Sequence, residues 1–368
     1  MRLSPTLSAY IGRQYLMAFT LVLLIIMGVV FLFDGIELIR RAAGRDQEVG
    51  LGSLLGMALL KLPQMIHTVL PFAVMIGAML AFWRLTRSHE LVVARAAGIS
   101  AWQFLSPVLA LTLVLGLGEI FAFNPLAATL YARFEKMQDE ILLGRSAALD
   151  VSETGLWLRE GDGARQTVVH ADWVSQDRLT LILRGVHVFE VDPSERLIRR
   201  LAAARGRLED GLIELEDVWV MQAGKASVHQ ESLRLPTELT LERVHDNFAS
   251  PETMSFWELP GFIAFFEKAG FAATKHRMYF QSLLASPLLY CAMVLVAALF
   301  SLRPNMRAGG VMARIGAGVG AGFVLYFFNK VIYAFGLSAT LPQGLAAWSP
   351  AMVAGLIGVS GLLHLEDG

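Results

Sequence analysis

Cysteine is almost absent from this chain of 368 residues, which contains only Cys291. A single thiol excludes an internal disulfide framework and a thiolate metal cluster. Because Cys291 lies in a long apolar run, we expect it to pack as a small hydrophobic residue. Charged residues are also scarce, at 17% of the chain, and the 31 basic residues nearly balance the 32 acidic ones. Net charge therefore gives no reason to expect a nucleic-acid partner.

Sequence motifs for catalysis are missing as well. The only Gly-Lys pair, Gly224-Lys225, is followed by alanine, so the chain lacks the GxxxxGK[ST] loop that binds nucleotide phosphates. The polar central block has no HExxH and no serine nucleophile elbow. Its histidines are scattered along the sequence: His170, His187, His229 and His245. We expect no catalysis by this chain, no metal site and no bound cofactor.

Long apolar runs are abundant. Hydrophobic residues make up 55% of the chain, and the mean hydropathy is +0.53, well above that of an ordinary soluble domain. A bilayer-spanning helix needs about 20 apolar residues. Six runs meet this length: residues 15–33, 62–83, 101–123, 279–302, 315–337 and 344–363. The only charges inside them are Glu119 and Lys330. The sequence predicts an α-helical membrane protein with three spans on each side of a polar block.

The polar block, residues 137–255, has the patterns of β-structure. Residues 180–191 and 212–221 are rich in Leu, Ile and Val and alternate in part with polar residues. Turn signals such as Glu209-Asp210-Gly211 separate these runs. Several short strands at this spacing are typical of a sandwich or a partly open barrel. We predict an inserted all-β domain that divides the chain into residues 1–136, 137–255 and 256–368.

The arginines predict the orientation of the spans. If the N-terminus is cytoplasmic, eight arginines lie on the cytoplasmic side: Arg2, Arg13, Arg84, Arg87, Arg95, Arg303, Arg307 and Arg314. The outer segments then hold Arg40, Arg41 and Arg45. Because Lys and Arg favour the cytoplasmic side, we expect both termini in the cytoplasm. Three spans precede the polar block, which places it on the outer side of the membrane.

The loop after the second span, residues 88–100, is short and helix-prone. Glu90 lies in its first turn, where the helix dipole favours an acid, and Gly98 lies at its end. A short amphipathic helix between two spans can dock into a groove of a partner protein. It can equally lie on the lipid surface, and the loop alone does not decide between the two.

Several motifs resemble the LptF/LptG permeases of the lipopolysaccharide exporter, in the order that the family has them. These are Tyr10-Ile11-Gly12, Leu62-Pro63, Leu70-Pro71-Phe72, Gly77, Glu90-Leu91, Ala97-Gly98, Gly118-Glu119, Gly155-Leu156-Trp157 and residues 259–270. The resemblance covers essentially the whole chain. Tyr-Ile-Gly, Glu-Leu-Val-Val and Gly-Leu-Trp favour the LptG type over the LptF type, which is the alternative.

The resemblance implies a multi-pass protein of the bacterial inner membrane with a periplasmic β-jellyroll-like domain. Such a permease extracts lipopolysaccharide from the periplasmic leaflet and passes it to a periplasmic bridge. The implied partners are an LptF-type permease as heterodimer, an LptB-type ATPase dimer, an LptC-type single-span protein and the bridge protein LptA. ATP and magnesium would bind in the ATPase. The coupling contact would be made by the loop helix, through Glu90, Leu91, Arg95 and Gly98.

Basic residues on the outer side are the predicted lipopolysaccharide contacts. Arg40 and Arg41 follow the first span, and Arg133 and Lys136 share a face if the third helix continues past its apolar run. Guanidinium groups bind phosphates through charge-assisted hydrogen bonds. Lys61 is a weaker candidate, because a lysine near a span end can snorkel to water without a further role. The alternative is that Arg40, Arg41, Arg133 and Lys136 anchor any anionic lipid.

A glycine series in the fifth span predicts close helix packing. Gly316, Gly318, Gly320 and Gly322 form two overlapping GxxxG pairs. In the family, helices one and five of opposite subunits form lateral gates for the lipid, so the series is a candidate for gate packing. Permanent packing within one subunit gives the same pattern.

Two other functions stay open on the residues alone. A secondary transporter needs buried acidic residues near the bilayer midplane, and Glu119 lies near the end of its span. His67 in the second span is interpreted as structural. A membrane sensor with a ligand-binding outer domain would leave the loop around Glu90 without a purpose.

Overall fold

The computed structural model describes residues 5–43, 50–143, 149–152, 155–161, 166–177, 180–192, 196–209, 211–222, 224–237, 250–268, 271–302 and 310–367. Arg2, Arg45, Arg303, Arg307 and His245 lie outside these ranges, as does Asp210 of the predicted turn. The chain divides into two compact units. The helical unit comprises Met1–Phe134, Ser255–Trp257 and Thr274–Gly368, and the sheet unit comprises Glu135–Met254 and Glu258–Ala273.

The described helices follow the predicted apolar runs. They are α1 (Pro5–Ala43), α2 (Leu51–Arg87), α3 (Glu90–Ala96), α4 (Ala101–Gly118), α5 (Asn124–Gln138), α6 (Leu259–Lys268), α7 (Thr274–Ser301), α8 (Gly310–Leu337) and α9 (Gln343–Asp367). Two π-helical turns, Glu119–Phe123 and Asp139–Leu143, follow α4 and α5, and a 3₁₀ turn spans Pro251–Thr253. Six of the described helical segments are long and apolar enough to cross a membrane, which confirms the predicted spans.

The third span is longer than its apolar run. α4, the turn Glu119–Phe123, α5 and the start of the next π-turn form one helical segment, Ala101–Ile141, of 41 residues. At 1.5 Å per residue this segment is about 60 Å long, roughly twice the thickness of the hydrocarbon core. The helix therefore continues well past the membrane. Because residues 133 to 136 are helical, Arg133 and Lys136 lie on the same face, as the sequence predicted.

Helix α7 is the centre of the helical unit, where it packs against α2, α4, α8 and α9. Two glycines allow the closest approaches between helices. A Cβ atom on Gly77 of α2 would lie 2.7 Å from the Cα atom of Phe19 in α1, and one on Gly116 of α4 would lie 2.8 Å from the Cα atom of Pro287 in α7. A larger residue at either position would bring its Cβ atom into contact with the backbone of the neighbouring helix and force the two helices apart.

The sheet unit contains one antiparallel sheet whose seven described strands pair in chain order. The strands are β1 (Leu149–Ser152), β2 (Gly155–Gly161), β3 (Gln166–Asp177), β4 (Thr180–Val191), β5 (Leu197–Glu209), β6 (Leu212–Gln222) and β7 (Val228–Pro236). Strands β4 and β6 coincide with the two alternating runs of the sequence. The predicted fold class, six membrane helices with an inserted all-β domain, is confirmed.

The alternation of buried residues changes phase within the long strands. In β4, Val186 and Val188 are buried on one side of Gly185, and Leu181 and Leu183 on the other. Gly185 has φ +62°, a left-handed conformation that glycine adopts without strain. The shift by one residue keeps both halves of the strand turned toward the core of the sheet unit.

Candidate functional site

Helix α3 is a short helix with sharply defined ends. It starts directly after His89, which has φ +58°, and Glu90 is its first residue. At its other end Gly98 has φ +81°, and its N–H donates to the Arg95 carbonyl at 2.9 Å. The Ile99 N–H donates to the Ala94 carbonyl at 3.1 Å, which completes a Schellman motif. Gly98 therefore ends the helix, and Ser100 caps the next one with Gln103.

The side chains of α3 divide between the protein core and the surface. Leu91 is buried in the hydrophobic core of the helical unit, so it anchors the helix to the spans. Val92 and Val93 are 50% and 67% exposed. Two neighbouring exposed valines on an anchored helix form an apolar contact surface. Arg95, on the last turn, is half-buried.

Glu90 is held in place by two hydroxyl groups. The Ser88 Oγ donates to its Oε1 atom at 2.8 Å, and the Tyr10 hydroxyl of α1 donates to the same oxygen at 3.2 Å. The carboxylate is half-buried. A carboxylate offers about four acceptor positions, and no donor to the Oε2 atom of Glu90 is found among the described residues. The contact with Tyr10 also connects α3 to the first helix.

Three of the five predicted basic contacts are ion-paired. Arg40 and Arg41 lie in the last turn of α1, and each places its Nε atom 2.8 Å from the Glu37 carboxylate. Lys61 of α2 pairs with Asp34 of α1, and its Nζ atom lies 5.4 Å from the centre of the Phe134 ring in α5. Lys61 thus joins three helices rather than pointing freely to solvent.

Arg133 and Lys136 are the other two. They lie three residues apart on α5, on one face, and both are exposed. Within the described part of the chain neither has an ion-pair partner at 4.0 Å or less. Of the predicted lipid contacts, these two have the most positive charge available for an anionic group.

The four glycines of α8 fall into two classes. A Cβ atom on Gly318 or Gly322 would lie 2.3 Å or 2.1 Å from the methyl carbon of Met79 or Met75 in α2. Gly318 and Gly322 therefore pack inside this chain. A Cβ atom on Gly316 or Gly320 would meet nothing within 4 Å. Only Gly316 and Gly320 face outward, where a gate against another subunit would form.

A buried polar cluster lies within the membrane spans and was not predicted from the sequence. Glu119 is 5% exposed, and its Oε1 atom lies 2.5 Å from the Nδ1 atom of His67 in α2. The Ser286 hydroxyl of α7 donates to Oε2 at 3.3 Å. Glu119 also begins a π-helical turn, a deformation frequent at functional sites. The signal was an acid and a histidine inside apolar runs.

Polar contacts continue from this cluster through Tyr279 of α7. Its hydroxyl accepts hydrogen bonds from the side chains of Asn124, at 3.3 Å, and Gln64, at 3.5 Å. The Asn124 Oδ1 atom accepts a bond from the Phe256 N–H at 2.8 Å. Among the described residues, no group of three His, Cys, Asp or Glu side chains is placed to hold a metal ion.

The arrangement of six membrane helices, an inserted antiparallel sheet and a short helix between the second and third spans defines a multi-pass membrane protein. The model of the family "Lipopolysaccharide export system permease LptF/LptG" matches residues 9–364. The chain therefore belongs to the LptF/LptG family of lipopolysaccharide export permeases and is a multi-pass protein of the inner membrane.

Two relatives are similar over nearly their whole length. The lipopolysaccharide export system permease protein LptG of Escherichia coli (strain K12) is 23% identical over 364 residues, which covers 94% of each chain. The protein of the same name from Haemophilus influenzae (strain Rd) is 21% identical over 360 residues, covering 95% of each chain.

Proposed function

We propose that this chain is an LptG-type subunit that extracts lipopolysaccharide from the periplasmic leaflet of the inner membrane and passes it to a periplasmic bridge. ATP hydrolysis in a separate subunit drives the step. The chain itself is not an enzyme and binds no cofactor, while ATP and magnesium bind in the ATPase. The observation that carries this proposal is the construction of α3, with an anchored Leu91, an exposed valine pair and an immobilised Glu90.

Helix α3 is suited to receive force from a soluble partner. Its buried Leu91 ties it to the core of the helical unit, so a push on the exposed face is transmitted to the spans. The exposed valines and Glu90 are suited to a helix that binds in a groove on the surface of a partner protein. This combination favours a protein partner over lipid. A helix that lies on a membrane surface usually has a wide apolar face and a polar face rich in Lys and Arg.

The basic residues supply the proposed lipid contact. Arg133 and Lys136 extend from α5 beyond the apolar run, and the phosphates of lipid A are anionic groups that such side chains bind strongly. Arg40 and Arg41 share one carboxylate, so that trio keeps one net positive charge. Lys61 contributes by fixing the spacing of α1, α2 and α5, and its direct role in binding is smaller.

Membership of the family supports the proposed partners and orientation. We place both termini and α3 in the cytoplasm and the sheet in the periplasm, because one span separates α3 from the sheet. An LptF-type permease completes a heterodimer, joined by an LptB-type ATPase dimer, an LptC-type single-span protein and the bridge protein LptA. The similarity to two LptG proteins favours the LptG type over the LptF type.

Charge reversal on α5 tests the lipid contact. With a photo-crosslinking residue at Thr129, which is exposed one turn before Arg133, we expect R133E/K136E to lower crosslinking to lipopolysaccharide about tenfold. The reason is that a charged hydrogen bond contributes about 1.5–3 kcal/mol. The control is Lys225→Glu, which reverses an exposed charge on the turn before β7. Equal crosslinking in all three proteins would favour ordinary interfacial anchors instead.

A further inference from the structure

A row of aromatic side chains crosses the sheet. The register pairs Trp157 with His170, His170 with His187, His187 with Ala202, Ala202 with Trp219, and Trp219 with His229. These six residues, here called the cross-strand row, come from strands β2 to β7. The register thus aligns His170, His187 and His229, which are far apart in the sequence.

The cross-strand row lies on the face away from the core. Directly paired residues point to one face, and their neighbours along each strand point to the other. On β3, β4 and β5 the neighbouring residues on both sides are buried. They are Val169, Val188 and Leu201 on one side and Ala171, Val186 and Ala203 on the other. The row therefore belongs to the outer face of the sheet.

Two tryptophans of the row are exposed, which is unusual for a residue that is mostly buried. Trp157 is 43% exposed and Trp219 is 47% exposed. Each forms a pair with a histidine, with ring centres 4.1 Å apart for Trp157 and His170 and 5.0 Å for Trp219 and His229. Strand spacing puts the two tryptophans about 19 Å apart, with the small Ala202 between them.

Acidic and basic side chains surround this aromatic surface. Asp172 lies 3.6 Å from the His170 Nδ1 atom, and Asp217 lies 2.6 Å from the His229 Nε2 atom. Arg200, two residues before Ala202 on the same face, lies over the Phe189 ring at 5.4 Å. The Arg200 Nε atom and the His187 Nδ1 atom are buried and, within the described residues, make no hydrogen bond.

We propose that the cross-strand row binds the acidic saccharide part of lipopolysaccharide. Flat aromatic rings pack against the C–H faces of sugar rings. The Asp172 and Asp217 carboxylates can accept hydrogen bonds from sugar hydroxyl groups, and the Arg200 guanidinium group can donate to acidic substituents. Two other ligands fit less well. An isolated phosphate would need only hydrogen-bond donors, and an apolar partner would leave the acidic and basic side chains around the row unpaired. The proposal rests on the proposed function for the source of the sugar, and it adds a second contact outside the membrane spans.

The test uses the full chain in detergent and a soluble probe, the phosphorylated core oligosaccharide obtained by removing all acyl chains from lipopolysaccharide. Binding is measured by calorimetry. We expect Trp219→Ala to weaken binding about tenfold through loss of the stacking surface, and Trp219→Phe to retain part of it. Trp257→Ala is the matched control, because Trp257 is a 63% exposed tryptophan of the helical unit.

The proposal is overturned if the wild-type chain does not bind the oligosaccharide, or if Trp219→Ala and Trp257→Ala bind it as well as wild type. If a neutral dextran binds equally well, the proposal that the ligand is an acidic saccharide is overturned. Crosslinking of intact lipopolysaccharide at Thr129, measured on the same preparations, separates the two proposals. If crosslinking at Thr129 persists while the oligosaccharide fails to bind, only the proposed saccharide binding at the cross-strand row is rejected. If both fail, the proposed function is rejected as well.

Discussion

Replacing Glu90 by alanine is expected to reduce ATPase association and lipopolysaccharide export by at least tenfold while leaving the protein in the membrane. Removing one partner of an interfacial charge pair costs about 2–5 kcal/mol, and each 1.4 kcal/mol is a factor of ten in affinity. The carboxylate is fixed by Ser88 and Tyr10, so a partner binds a group that is already oriented. Co-purification of the ATPase from detergent extracts measures the effect.

Two further variants separate charge from position at this site. Glu90→Gln keeps an acceptor oxygen near Ser88 and Tyr10 but removes the charge, and we expect it to fall between wild type and Glu90→Ala. Tyr10→Phe removes only the second hydroxyl contact and should leave the ATPase bound. Normal co-purification and normal export in Glu90→Ala would remove this residue from the mechanism.

Replacing Glu119 by alanine is expected to destabilise the helical unit by about 3–5 kcal/mol, the usual cost of removing one partner of a buried pair. The change leaves His67 without its carboxylate and Ser286 without the acceptor on Oε2. These two residues come from α2 and α7, so the loss loosens contacts between both halves of the chain. Chemical unfolding of the purified protein in detergent measures the difference.

The control for this change is Glu231→Ala, which removes an exposed acid from β7 and should alter stability by less than about 0.5 kcal/mol. A double variant with His67→Ala should cost much less than the sum of the two single changes, because contacting residues are not additive. If Glu119→Ala proves as mild as Glu231→Ala, the pair makes no net contribution to stability.

Much of the fold was predictable because it follows from local patterns. Apolar runs of bilayer length with at most one charge each identify the six spans, and alternating residues identify β4 and β6. The ends of α3 were equally readable, since Glu90 and Gly98 occupy positions that helix termini favour. These signals lie within a few residues of the structure that they specify.

Contacts between distant helices were not predictable in the same way. The pairing of Lys61 with Asp34 joins residues 27 apart, and that of His67 with Glu119 joins residues 52 apart. A lone lysine near a span end and a lone histidine inside one look structural by themselves. Only the packing of the helices reveals that each has a carboxylate as its partner.

The same limit applies to the sheet and to α8. The histidines of the cross-strand row are 17 and 42 residues apart in sequence, counted from His170 to His187 and from His187 to His229, and only the register aligns them. The GxxxG pattern showed that glycines matter but not which face they serve. Met75 and Met79 assign Gly318 and Gly322 to packing within this chain and leave Gly316 and Gly320 outside.

Affinity purification of the wild-type chain from its native membrane in mild detergent shows whether the chain works within an ATP-driven export complex. We expect an ATPase and a second permease of similar size to accompany the chain in fixed proportion, and we expect added ATP to transfer lipopolysaccharide to a periplasmic acceptor, where crosslinking to the acceptor detects it. Recovery of this chain alone, or only as copies of itself, would contradict the proposed function.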